Sequence, residues 1–165
     1  MSVNRHRPHL LVLPEDDANR VLANGFLLAP TLRQRHVQVL PPAGGWPKVL
    51  DACLTLHVAN LRRFAGFHLV LLIDFDDQVQ DRTQHFTRQF PADVSDRVYL
   101  IGTGCEPERH MLKSRFESFG LELGMACADA DFSPWNHDFL AHNSAVVQRL
   151  AANVRPFLFP TAAAV

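Results

Sequence analysis

Short apolar runs alternate with amphipathic stretches along this chain, and the alternation predicts strands that are each followed by a helix. An uninterrupted short run of apolar side chains is typical of a strand that is buried on both faces of a sheet. The predicted strands are residues 10–13, 37–40, 68–73 and 97–102. Between and after them, apolar positions recur at helical spacing. The predicted helices are residues 18–28, 48–64, 81–90, 108–119 and 137–154.

This order of elements predicts an α/β protein. Strands that alternate with helices form a mostly parallel sheet with helices on both faces, here of four strands or slightly more, in a Rossmann-like arrangement. A length of 165 residues fits one domain. We expect that domain to span residues 10–158, between a flexible N-terminus at residues 1–9 and a frayed C-terminal tail at residues 159–165.

Composition narrows the classes of function. No apolar run approaches the length of a membrane span, so we expect a cytoplasmic protein without a membrane contact. Three cysteines with no CxxC pair indicate reduced thiols rather than a zinc site. The formal net charge of -1 excludes a large basic surface for nucleic acid. Any contact with nucleic acid would be local, bridged by a metal or shared with a partner.

Three acidic residues stand at the predicted ends of strands. Glu15 follows the first strand and Asp74 the third, and Asp76 comes two residues after Asp74. Because parallel strands deliver their carboxyl ends to one edge of the sheet, these side chains are expected to converge where such folds bind ligands. Converging carboxylates repel one another, and a hard cation relieves the repulsion. The pattern predicts a Mg²⁺ or Mn²⁺ site that holds a phosphodiester.

Five further residues are candidates for the same edge. Asp16 and Asp77 flank the three acidic residues, although each also suits a helix cap or a loop. Lys48 follows a Gly-Gly-Trp-Pro loop after the second strand and would contact a phosphate. Glu106 and Glu108 follow the fourth strand. They would either complete a second metal position or serve as favourable charges in the first turn of a helix.

A Glu after the first strand, with Asp-x-Asp after a later strand, resembles the Toprim (topoisomerase–primase) domain. The matching segments are Leu-Val-Leu-Pro-Glu at 11–15 and Leu-Leu-Ile-Asp-Phe-Asp at 71–76, within a resemblance that covers residues 10–104. It implies that Glu15 is a general acid/base and that Asp74 and Asp76 are Mg²⁺ ligands. The small size is similar to that of Toprim-like proteins in bacterial defence nucleases, which implies a nuclease subunit acting on nucleic acid.

The sequence departs from the Toprim pattern in two ways. Asp16 stands where many Toprim domains have Gly, and we expect no separate domain of the kind that grips DNA in larger nucleases. These departures favour a subunit that works with a protein partner or as a homodimer. They also leave open a second hypothesis, a non-catalytic interaction domain that retains the fold.

The chain also resembles the receiver domain of response regulators. By that resemblance the acidic residues at 15–17 would hold Mg²⁺, Asp74 would accept a phosphoryl group, and Thr103 would occupy the position of the Ser/Thr after the fourth strand. The Lys that receivers carry after a fifth strand has no counterpart. A receiver-like phosphoacceptor is therefore the third hypothesis.

Overall fold

The computed structural model describes residues 3–105 and 113–161, and these residues fold around a four-stranded parallel sheet. The strands are β1 (His9–Pro14), β2 (Val37–Val39), β3 (Phe67–Asp74) and β4 (Val98–Thr103). Their order across the sheet is β2-β1-β3-β4, and every pair is parallel. The predicted α/β class is therefore confirmed.

The strand order determines where a binding site forms. From β1 the chain crosses to β2 on one side, whereas β3 and then β4 lie on the other side of β1. In sheets of this order the connections leave in opposite directions at the β1/β3 pair, and a crevice opens there beyond the carboxyl ends of the strands. Pro14 pairs with Leu72, so β3 extends two residues beyond the end of β1. The last of these residues is Asp74.

Helices connect and follow the strands. The helices are α1 (Asp17–Phe26), α2 (Trp46–Ala52), α3 (Val58–Arg63), α4 (Val79–Thr87), α5 (Phe116–Ala128), α6 (Ser144–Asn153) and α7 (Arg155–Leu158). A π-helical segment, Cys53–His57, joins α2 to α3, so the predicted helix at 48–64 is one helix that widens in its middle. None of the helices in the described ranges is long and apolar enough to cross a membrane.

Both faces of the sheet are covered, because alternate residues of β3 point in opposite directions. On one face Leu69 and Leu71 pack with Leu61 of α3 and with Phe86 of α4. On the other face Val70 and Leu72 belong to a second core, to which α1 contributes Ala23 and α7 contributes Leu158. The sequence of β3 is almost entirely apolar because neither face of this strand meets water.

Two predicted helix boundaries are wrong. The helix predicted to end at residue 119 continues to Ala128, since Gly120 lies where α5 crosses α1 and does not end the helix. A side chain at Gly120 would stand 2.0 Å from the carbonyl oxygen of Leu22, so only glycine permits this approach. The predicted start of that helix lies outside the described residues. The helix predicted at 137–154 begins only at Ser144, after two short 3₁₀ turns.

Candidate functional site

Glu15 connects three elements at the carboxyl edge of the sheet. The backbone N–H of Asp74 donates to Glu15 Oε2 at 2.9 Å, and the backbone N–H of Trp46, at the start of α2, donates to the same carboxylate. The carbonyl oxygen of Glu15 accepts hydrogen bonds from the N–H groups of Gly44 and Gly45, at 2.9 and 3.3 Å. The residue after β1 is therefore fixed to the end of β3 and to the loop before α2.

Asp74 ends β3 and is only 8% exposed. Its Oδ1 accepts a hydrogen bond from Thr103 Oγ1 at 2.8 Å and a longer one from Asn19 Nδ2 at 3.4 Å. The same Asn19 Nδ2 donates to Asp16 Oδ1 at 3.1 Å. One buried amide group thus bridges the carboxylates of Asp16 and Asp74, and these two acidic side chains lie close together.

Asp16 has a structural role as well. Its Oδ1 accepts the backbone N–H of Asn19 at 2.9 Å, which is the N-cap hydrogen bond of α1. Asp17, the next residue, is exposed and forms an ion pair with Arg20 at 3.0 Å. The sequence places three acidic residues in a row, and the structure separates Asp16, which reaches the site, from Asp17, which faces solvent.

Asp76 is held by an arginine. Nη1 of Arg82 lies 2.7 Å from Asp76 Oδ2 and also donates to the carbonyl oxygen of Asp74 at 2.8 Å. The guanidinium group of this buried arginine lies over the ring of Trp46, 4.7 Å from its centroid. The acidic edge therefore contains a positive charge from its own chain, fixed by a carboxylate, a carbonyl group and an aromatic ring.

The backbone after β3 is strained. Asp76 and Asp77 both have left-handed conformations, with φ of 50° and 62°. Such values are uncommon outside glycine, although aspartate tolerates them better than most residues. The segment is held against β4, because the N–H of Phe75 donates to Thr103 O at 2.9 Å and that of Asp77 to Gly104 O at 2.7 Å. Strain that the surroundings impose in this way is concentrated at functional sites.

Burial raises the pKa of both central carboxyl groups. For Asp74 burial raises the pKa to about 7, with the charges of Asp16 and Glu15 adding to the effect and the Thr103 and Asn19 hydrogen bonds opposing it. For Glu15 burial again raises the pKa, opposed by the two N–H donors and increased by the charges of Asp16 and Asp76. Each group binds a proton more readily than an exposed carboxyl group, a property that is common at catalytic sites.

The three predicted acidic residues are only partly arranged to bind a divalent cation. Within the described ranges, no group of three or more His, Cys, Asp or Glu side chains is arranged to hold a metal ion. The structure joins Glu15 to Asp74, whereas Asp76 is turned toward Arg82. Mg²⁺ is usually bound through one or two carboxylates with water and phosphate completing its shell, so Asp74 with one neighbour would be sufficient.

The other predicted residues lie around this edge or outside the described residues. Lys48 is exposed on α2, and its Nζ lies 3.7 Å from the position that a Cβ on Gly44 would take. Asp77 belongs to the strained turn after β3. Glu106 and Glu108 lie outside the described residues.

Sequence reasoning missed two residues of the site, Asn19 and Arg82. Asn19 stands three positions after the N-cap Asp16, a spacing at which side chains often pair at a helix start. Arg82 stands four positions before Phe86, so both lie on the same face of α4. The strong apolar character of Phe86 was a signal that this face is buried and that an arginine on it must have partners.

The fold and this edge define an α/β protein with a Rossmann-like parallel sheet and a set of acidic side chains at its carboxyl end. Comparisons with protein-family models, curated proteins and solved structures found no match.

Proposed function

We propose that the edge formed by Glu15 and Asp74 binds Mg²⁺ or Mn²⁺ and acts on a phosphodiester, in the manner of a Toprim-like nuclease subunit. The observation that supports this proposal is the hydrogen bond from the Asp74 N–H to Glu15 Oε2. It holds the carboxylate of Glu15 against the backbone of Asp74 at the β1/β3 position, where open α/β sheets bind their ligands.

Asp74 is the principal candidate for a metal ligand. Its carboxyl group is buried beside the acidic groups of Asp16 and Glu15, so a cation there would relieve their repulsion. Because burial raises its pKa only to about 7, Asp74 loses its proton to a metal at little cost near neutral pH. Such a cation would polarise the phosphate and neutralise its developing charge. Asp76 is a secondary ligand, because its Oδ2 must first leave Arg82.

Glu15 is the candidate for the group that transfers a proton. Its pKa is raised, and a general acid/base is most effective when its pKa approaches the working pH. Lys48 is an exposed cation at the same edge and would contact the phosphate as a point charge. The net charge of -1 leaves most of the contacts to nucleic acid to a protein partner or a second copy of the chain.

The proposal is tested by cleavage assays on single-stranded and double-stranded DNA and RNA with Mn²⁺, using the purified protein alone and with any copurifying partner. We expect Asp74→Asn to lose the metal-dependent cleavage. Glu15→Gln is expected to retain metal binding and to lose cleavage, because the amide can accept the same N–H bonds but cannot transfer a proton. Asp17→Asn, an exposed neighbour, is the matched control and should cleave normally. Cleavage that survives Asp74→Asn would contradict the assignment of this site, and no cleavage at all would favour a non-catalytic interaction domain.

A phosphoacceptor role for Asp74 is the second candidate function. It is favoured by one contact, the hydrogen bond from Thr103 Oγ1 to Asp74 Oδ1 at 2.8 Å, which places a hydroxyl group beside the carboxylate at the end of β3. Acetyl phosphate should then add one phosphoryl group to the protein but not to Asp74→Asn, as seen by intact mass. An unchanged mass would remove this candidate.

A further inference from the structure

We propose that the core on the α1 side of the sheet contains a binding site for a small uncharged hydrocarbon, such as one aromatic ring. A cavity of about 130 Å³ lies between this face of the sheet and helices α1, α5, α6 and α7. The sheet contributes Val12, Leu72 and Ile101, and the helices contribute Leu123, Val147 and Ala151. This site is independent of the acidic edge.

The helices on the α1 side of the sheet leave space above the strands. Leu72 of β3 retains 6% exposure and Val12 of β1 retains 8%, although both belong to the two central strands. Ile101, on the edge strand β4, also retains 8%. All three line the cavity, so the helices do not fill this part of the core.

Among the described residues, the side chains that line the cavity are almost all apolar, and Arg155 is the one that carries a charge. Its Nε donates to Cys127 O at 2.7 Å and its Nη2 to Ala128 O at 2.8 Å, so these donors are already paired within the protein. A buried water needs two to four polar partners, so an apolar space of this kind stays dry. The chemistry of the lining therefore selects a ligand without charge or hydrogen-bonding groups.

The size of the cavity sets the size of the ligand. A dry protein cavity of about 150 Å³ lined by Leu, Ile and Phe accommodates benzene. The space here is similar in volume and lining. Phe132 and Trp135, in the segment between α5 and α6, line the cavity and are only partly buried, so it borders the protein surface there. One aromatic ring or a hydrocarbon of similar bulk fits this space, whereas a charged or larger ligand does not.

Benzene is the probe that tests the site, with two alanines of α6 as a matched pair. Ala151 lines the cavity and Ala152 is exposed, so Ala151→Leu fills the space and Ala152→Leu leaves it open. We expect benzene to raise the Tm of the wild-type protein and of Ala152→Leu in a saturable manner. The same concentrations should leave the Tm of Ala151→Leu almost unchanged. Equal shifts in both variants, or no saturable shift in the wild-type protein, would overturn the site.

Methyl NMR of the wild-type protein provides a second test that does not depend on the folding of Ala151→Leu. Saturating benzene should shift the methyl resonances of Leu72, Ile101 and Val147, which line the cavity. The methyl groups of Leu69 and Leu71, on the opposite face, are the internal control and should not move. Shifts of equal size on both faces, or none on the cavity side, would contradict the assignment.

Discussion

The backbone N–H of Asp74 donates a hydrogen bond to the carboxylate of Glu15 at 2.9 Å, and this bond joins the ends of two neighbouring parallel strands. It forms where β3 continues beyond the last paired residue of β1, so the Glu15 side chain takes the place of a missing backbone acceptor. The same bond holds the Glu15 carboxylate beside Asp74 at the carboxyl edge of the sheet, and burial raises the pKa of both side chains. This one hydrogen bond therefore both pairs the two strand ends and positions a candidate functional carboxylate.

Asp74→Asn is expected to make the metal-free protein more stable at neutral and alkaline pH. The pKa of Asp74 is about 7 in the folded protein and 3.8 as its ordinary value, so the folded state binds the proton more tightly than the unfolded state does. The contribution of this group to stability is then most favourable at low pH and declines as the pH rises from about 4 to about 7. The free energy of unfolding of the variant should exceed that of the wild-type protein by up to about 4 kcal/mol at pH 8. The difference should be small near pH 4.

Urea unfolding at several pH values, in the presence of a chelator, measures this difference. Asp17→Asn removes an exposed carboxylate nearby and should show no comparable gain. If Asp74→Asn is no more stable than the wild-type protein at pH 8, the ionised carboxylate of Asp74 does not destabilise the folded state as expected.

Arg82→Met is expected to lower the free energy of unfolding by about 1–3 kcal/mol, because it leaves the buried carbonyl group of Asp74 without its donor and Asp76 without its ion pair. Methionine retains much of the contact with the ring of Trp46, so the loss reports mainly on the polar partners. Arg88→Met, at the exposed end of α4, is the control and should change stability by no more than about 0.5 kcal/mol. Chemical denaturation compares the two, and equal effects would count against a special role for Arg82.

Gly102→Ala is expected to destabilise the protein by more than about 4 kcal/mol or to prevent folding. A Cβ at Gly102 would stand 1.6 Å from the carbonyl oxygen of Ile73, within the pairing of β3 and β4, so the strands would have to separate. Gly104→Ala is a matched control two residues later, where the nearest atom would lie at an ordinary 3.5 Å. Thermal unfolding followed by circular dichroism separates the two variants. Similar melting temperatures would contradict the close approach of the strands.

Much of the architecture was predictable from the sequence. The apolar runs that became β1, β3 and β4 are short and uninterrupted, because these strands are buried on both faces. Their alternation with helices predicted the parallel sheet. The convergence of Glu15 and Asp74 followed from the rule that parallel strands end at a common edge. These features are local patterns combined with one topological rule, so a single sequence contains them.

The partners of the acidic residues were not predictable in the same way. The pairing of Asp76 with Arg82 depends on the left-handed backbone conformation of Asp76 and Asp77. The amino-acid sequence of that segment does not specify such a conformation. The length of α5 was missed because Gly120 weakens the helical pattern. In the structure Gly120 permits the close crossing of α5 with α1. Both features arise from contacts between elements that are distant in the sequence.

The most direct test of the central claim is calorimetric titration of the protein with Mn²⁺, comparing the wild-type chain with Asp74→Asn and Asp17→Asn. If the Glu15–Asp74 edge binds a divalent cation, the wild-type protein and Asp17→Asn will bind Mn²⁺ with the same affinity. Asp74→Asn will bind it at least about ten-fold more weakly while remaining folded. Binding of equal strength in wild-type protein and Asp74→Asn, or no binding by the wild-type protein, would contradict the claim.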